Sequence, residues 1–121
     1  MVTFKGKVQK GHGRGKDLGF PSANVNLHTK IPEGIYISQT KITSKTYQSL
    51  TFIGQAKSFN ETKYHSETYL LDYQANLYNK WISVNLIKKI RANQKFAKVL
   101  DLIKQMQEDE KVARNYFKKN V

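Results

Sequence analysis

The chain has 121 residues, 39% of them hydrophobic and 12% aromatic, with no cysteine. That length suits a single domain with a true core, and a chain without Cys can hold no disulfide, no thiolate metal site and no Cys nucleophile. Net charge is +12 at pH 7, with nine Lys or Arg against two acids in residues 1–60 and twelve against seven in the rest. Such a spread positive field attracts polyanions (nucleic acid, acidic membrane or phosphorylated small molecules) without choosing among them. No apolar run nears the ~18 residues of a membrane span. The opening MVTFKGKVQK lacks the apolar centre of an export signal, so the expected location is cytoplasmic. With no repeat, linker or low-complexity tract, residues 1–121 read as one domain.

In chain order, Phe4 to Val8 alternates weakly, and a glycine-rich run, GHGRGKDLGFPSAN, occupies residues 11–24. Pro32-Glu33-Gly34 then punctuates the start of a strand at Ile35-Tyr36-Ile37. Thr43-Ser44-Lys45 reads as a hairpin turn, followed by the strand formers of Thr46 to Ile53. Ser66 to Tyr73 and Trp81 to Ile90 are stronger strands. In the second, Trp81, Ser83, Asn85 and Ile87 alternate with Ile82, Val84, Leu86 and Lys88, so one face is apolar. The period then changes. Phe96, Val99, Leu100, Ile103 and Met106 fall at helical spacing and Ala113, Tyr116 and Phe117 extend that face, predicting a helix over roughly 94–118. Strands over roughly 2–90 followed by one long helix make a mainly β fold, an antiparallel barrel with a C-terminal helix packed on it.

The glycine run has two readings. Gly11, Gly13 and Gly15 can present unobstructed backbone N–H groups as an anion nest, with Arg14 and Lys16 adding charge; the same composition also makes an ordinary surface loop. It is not a Walker A motif, because no Gly-Lys-Ser/Thr triplet opens a helix, and a dinucleotide fingerprint lacks its βαβ setting. Ser22 and Asn24 stand two apart on an extended segment, so both side chains project to one face. Their oxygens suit Mg²⁺ and suit turn capping equally well. Glu67 lies inside a strongly β segment, where a carboxylate can deprotonate a hydroxyl or pair with a surface Lys. Arg91, at the junction of sheet and helix, reads as functional or as a surface residue. His12, His28 and His65 show no metal-ligand spacing and are assigned to surface or loops.

Taken together, these stretches resemble the riboflavin kinase (flavokinase) domain of bacteria and eukaryotes. GKVQKGHGRGKDLGFPSANV is similar to its Gly-Arg-Gly loop and Leu-Gly-hydrophobic-Pro-Thr-Ala-Asn segment. Ile31 to Tyr36 resembles Pro-x-Gly-Val-Tyr, and Ser66 to Tyr73 resembles Glu-x-His-hydrophobic-hydrophobic-Asp-Phe. Leu77-Tyr78 matches a Leu-Tyr-Gly turn, and Ile90-Arg91 with Lys95-Phe96 matches the lead into the helix. The resemblance implies a closed Greek-key barrel of about six antiparallel strands. It also implies ATP- and Mg²⁺-dependent phosphorylation of the riboflavin ribityl 5′-hydroxyl to FMN. Gly11, Gly15 and Lys16 would lie along the ATP phosphates, with Leu70, Asp72 and Tyr78 on the nucleotide side. Ser22 and Asn24 would hold Mg²⁺, Glu67 would be the general base, and Arg91 and Phe96 would face the flavin.

Departures from the pattern stand at Ser22 for Thr, Tyr69 for His and Asn79 for Gly. Phe52 to Phe59 lacks the Asn, Pro and Thr of the family's Asn-Ile-Gly…Pro-Thr-Phe. The FMN adenylyltransferase domain that precedes this module in bifunctional bacterial proteins is not in the sequence, so the chain is expected to be either a free-standing kinase or an excised C-terminal domain. Two other functions compete: a non-catalytic flavin- or nucleotide-binding module of the same fold, and a basic nucleic-acid-binding barrel. The third is disfavoured because it leaves Asn24 and Glu67 without a role.

Overall fold

A computed structural model describes residues 2–9, 22–58 and 61–120. Within them run β1 (Val2–Lys7), β2 (Ala23–Asn26), β3 (Gly34–Ile42), β4 (Lys45–Ser58), β5 (Glu61–Leu70), β6 (Trp81–Arg91) and one helix, α1 (Val99–Lys119). Alternation sets each strand's faces: in β6, Ile82, Val84 and Leu86 are buried while Trp81 is 66% exposed. The sheet order is β1-β6-β3-β4-β5-β2, and all pairings are antiparallel. Strands β3, β4 and β5 form a meander and β6 returns beside β3, which is a Greek key. The edges meet where Gln9 N–H donates to the Asn24 carbonyl at 2.7 Å, nearly closing a six-stranded barrel.

Val8, Ala23, Val25, Ile31, Tyr36, Ile53, Leu70, Leu77, Ile82, Val84 and Leu86 fill the barrel. Part of its interior is polar. Thr40, Ser49, Ser38, Thr51 and Thr68 form a chain of side-chain hydroxyl bonds of 2.7–3.0 Å, all at 2% exposure or less. Each buried hydroxyl thus has the partner that burial demands.

The helix packs on the outside, where Ala113 and Phe117 join Ile37, Leu50 and Leu71 in a second core. It begins at Val99, later than the sequence spacing predicts: Lys98 is extended, at φ −118 and ψ 137, and residues 92–98 are not helical. Asn93 explains part of this, because its amide donates to the Ile53 carbonyl at 3.1 Å and fastens the connection to β4. The predicted apolar face is also only half used. Val99 and Leu100 are 60% and 69% exposed, whereas Asp109 is buried beside Ala113 and Phe117. The stripe outruns the sheet beneath it. Among the described residues, no helix is long and apolar enough to cross a membrane.

Candidate active site

Register brings together residues far apart in sequence. Asn24 on β2 pairs with Glu67 on β5, Glu67 with Phe52 on β4, Phe52 with Ile35 on β3, and Ile35 with Arg91 on β6. Directly opposed residues of an antiparallel pair share a face, and here that face is the outer one, since Ala23, Val25, Ser66 and Thr68 on either side point into the barrel. Asn24, Glu67 and Arg91 therefore lie in one row across five strands. The Glu67 side chain is 36% exposed, and His65 Nε2 approaches its Oε2 to 3.8 Å.

Ser22 immediately precedes β2 and is half-buried, two residues from Asn24. Gln9, bridged to Asn24, and Ser22 flank residues 10–21; Gly11, Gly15 and Lys16 lie outside the described residues. The hydroxyl of Ser22 and the amide of Asn24 are hard oxygen donors that fit Mg²⁺, an ion that takes few protein ligands and completes its shell with phosphate and water. Among the described residues, no group of three or more His, Asp or Glu could hold a metal alone.

Arg91 and Phe96 bracket the connection to the helix. Arg91 grips Asp109 with two bonds, Nε to Oδ1 at 2.8 Å and Nη2 to Oδ2 at 2.7 Å, and Gln105 donates to the same carboxylate at 3.1 Å. This bidentate pair, 19% and 7% exposed, fastens α1 to the end of β6. Gly34 permits the arrangement: at φ +150, a Cβ there would come within 2.9 Å of the Arg91 carbonyl oxygen. Phe96 is half-buried in the segment that Asn93 pins to Ile53.

The residues expected on the nucleotide side divide. Leu70 is 6% exposed within the barrel core. Asp72 is exposed and accepts from Arg114 Nη1 at 2.8 Å, while Arg114 Nη2 donates to the Leu71 carbonyl at 2.7 Å. That bond to Asp72 holds the guanidinium pKa above its ordinary value. Tyr78 is 55% exposed in a turn tied to Val8, the residue after β1, by Asn79 N–H donating to the Val8 carbonyl and Val8 N–H to the Lys80 carbonyl, both 2.9 Å. Tyr69, where the resembling motif has His, turns towards the helix and donates to Glu110 Oε1 at 3.0 Å. Burial, then that bond, raises its phenol pKa.

Sequence reasoning missed His65. It is a strand residue beside Glu67, not a loop residue. The two-residue spacing that aligns side chains on a strand was the available signal.

Comparison with known proteins bears on the whole barrel. The sequence pattern of the family described as flavokinase, riboflavin kinase, matches residues 1–117. The chain is 35% identical over 119 residues to the trifunctional protein RibF/MnmA of Mycoplasmoides gallisepticum, covering 96% of this chain and 18% of that one. It is 31% identical over 120 residues to the bifunctional riboflavin kinase/FMN adenylyltransferase of Bacillus subtilis, covering 94% of this chain and 38% of the relative. It thus spans well under half the length of these relatives. Among solved structures it superposes on a protein described as a macrolide-efflux protein from Streptococcus pneumoniae, with TM-score 0.87 and 28% identity over 94% of this chain and 38% of that one. Riboflavin kinase from Trypanosoma brucei shares the fold, with TM-score 0.66 and 20% identity over 97% of this chain and 80% of that one. The chain belongs to the flavokinase (riboflavin kinase) family.

Proposed function

We propose that this chain transfers the γ-phosphoryl group of ATP to the ribityl 5′-hydroxyl of riboflavin, giving FMN and ADP. The observation that carries the reading is the direct pairing of Asn24 with Glu67: an oxygen donor suited to Mg²⁺ and a half-exposed carboxylate meet on one outer face. Glu67 accepts the hydroxyl proton as the new O–P bond forms and the bond to the bridging oxygen of ADP breaks. Most of the acceleration comes from holding the two substrates in line, with the base contributing proton transfer. Ser22 and Asn24 would hold Mg²⁺, which would supply positive charge to offset that of the ATP phosphates. Gly11, Gly15 and Lys16 cradle them.

Tyr78 and Asp72 serve the nucleotide, and Leu70 supports that side from the core. Phe96 meets the flavin, and Arg91, already committed to Asp109, acts by holding the segment that carries Phe96. Where an adenylyltransferase domain accompanies the module, as in the bifunctional relatives, it takes the FMN made here. The work is expected to be cytoplasmic.

Incubation with riboflavin, ATP and Mg²⁺, read by chromatography, should yield FMN. Glu67→Gln should lower the rate by roughly 10²–10⁴-fold with an unchanged circular dichroism spectrum. Phe52, an apolar neighbour on the other flank of Glu67, favours one rival: a module that binds flavin without turnover. Measurable riboflavin binding with no FMN would establish that rival and overturn the kinase reading.

A further inference from the structure

Resting on Glu67 as the base, we infer that His65 is a positioning residue whose Nε2–H fixes the Glu67 carboxylate. The two stand two apart on β5 and share its outer face, with Nε2 3.8 Å from Oε2. At 3.8 Å the two groups are in ion-pair contact, outside hydrogen-bond range, and the inferred bond is one that closes when substrate binds, as catalytic hydrogen bonds often do.

The imidazole is held in place from another side. Phe52, the cross-strand partner of Glu67, meets it edge to face, with ring centroids 5.8 Å apart and planes at 61°. Gly54, directly opposite His65, makes this possible. A Cβ there would collide with Cζ and Cε1 of Phe52, so the phenyl ring lies over the bare glycine.

The buried edge of the imidazole decides the tautomer. Nδ1 of His65 is, among the described residues, the one buried side-chain nitrogen or oxygen without a hydrogen-bond partner. Burying an N–H with nothing to accept it is costly. The neutral ring therefore keeps its proton on Nε2, on the side of the carboxylate. Glu67 has apolar Phe52 on its β4 flank and Asn24, assigned to the metal, on its β2 flank. Tyr69, two residues further along β5, donates to Glu110, so among the described residues His65 is the neighbour placed to orient the carboxylate.

The test is steady-state kinetics of FMN formation. His65→Ala should lower kcat about tenfold, the cost of a hydrogen bond to a charged group, while KM for riboflavin and ATP stays within about twofold. His65→Phe keeps the ring packing and should lose as much. His65→Gln restores a donor and should recover most of the rate. On a Glu67→Gln background, with residual turnover followed using labelled ATP, His65→Ala should cost nothing further, because the effect passes through the carboxylate. Unchanged kcat in His65→Phe, or an equal loss on both backgrounds, overturns the inference. If Glu67→Gln turns over near the full rate, the base assignment fails first and this inference with it; an inactive Glu67→Gln beside a fully active His65→Phe sinks the His65 role alone.

Discussion

Thr43 occupies the left-handed region at φ 58, in the two-residue turn Thr43-Ser44 between β3 and β4. Hairpin turns of this length require positive φ and favour Asn or Gly, and a β-branched residue there is strained. Thr43→Asn should raise the unfolding free energy by about 1 kcal/mol, seen as a higher urea midpoint at constant slope. Asn79 sits at φ 69, where the resembling motif carries Gly. That departure is conformationally mild, since Asn is among the few side chains that visit this region readily. The turn at 43–45 and the position of Gly34 were legible from residue type alone, because backbone demands on Gly and Pro are local. His65 was signalled by its two-residue spacing from Glu67, and the structure adds the 3.8 Å approach and the Phe52 ring beside it.

Helix α1 shows where spacing misleads at the level of an element. A 3.6-residue period identifies a face without saying how far the partner surface reaches. Here the barrel covers the face around Ala113 and Phe117 and leaves Val99 and Leu100 in solvent. The predicted stripe also passes over Asp109, a carboxylate that is buried only because Arg91 and Gln105 satisfy it. Removing one partner leaves the other desolvated and uncompensated. Asp109→Ala should therefore cost about 3–5 kcal/mol, read by chemical denaturation, and should weaken flavin binding by releasing the segment that carries Phe96. Equal stability in wild type and variant would show the pair to be dispensable. Helical spacing alone could not have paired Arg91 with a residue 18 positions away.

Across the whole molecule the charge is +12, and such an excess destabilises the compact state by self-repulsion. Raising NaCl from about 10 to about 100 mM shortens the screening length from about 30 to about 10 Å. The melting temperature should rise with it, by roughly 3–5 °C for each kcal/mol relieved. A fall would mean that ion pairs such as Arg114–Asp72 outweigh the repulsion.

Strand and helix content, the hairpin turn, the absence of thiol chemistry and the residue types of the candidate site could all be read along the chain. Each depends on periodicity or on side-chain chemistry, which are local properties. The pairing of Asn24 with Glu67 and the grip of Arg91 on Asp109 could not. Nor could the length of helix that the barrel covers. Those are matters of strand register and long-range packing: a slip of one residue would turn Glu67 into the core and Thr68 outward, and only the closed sheet excludes it.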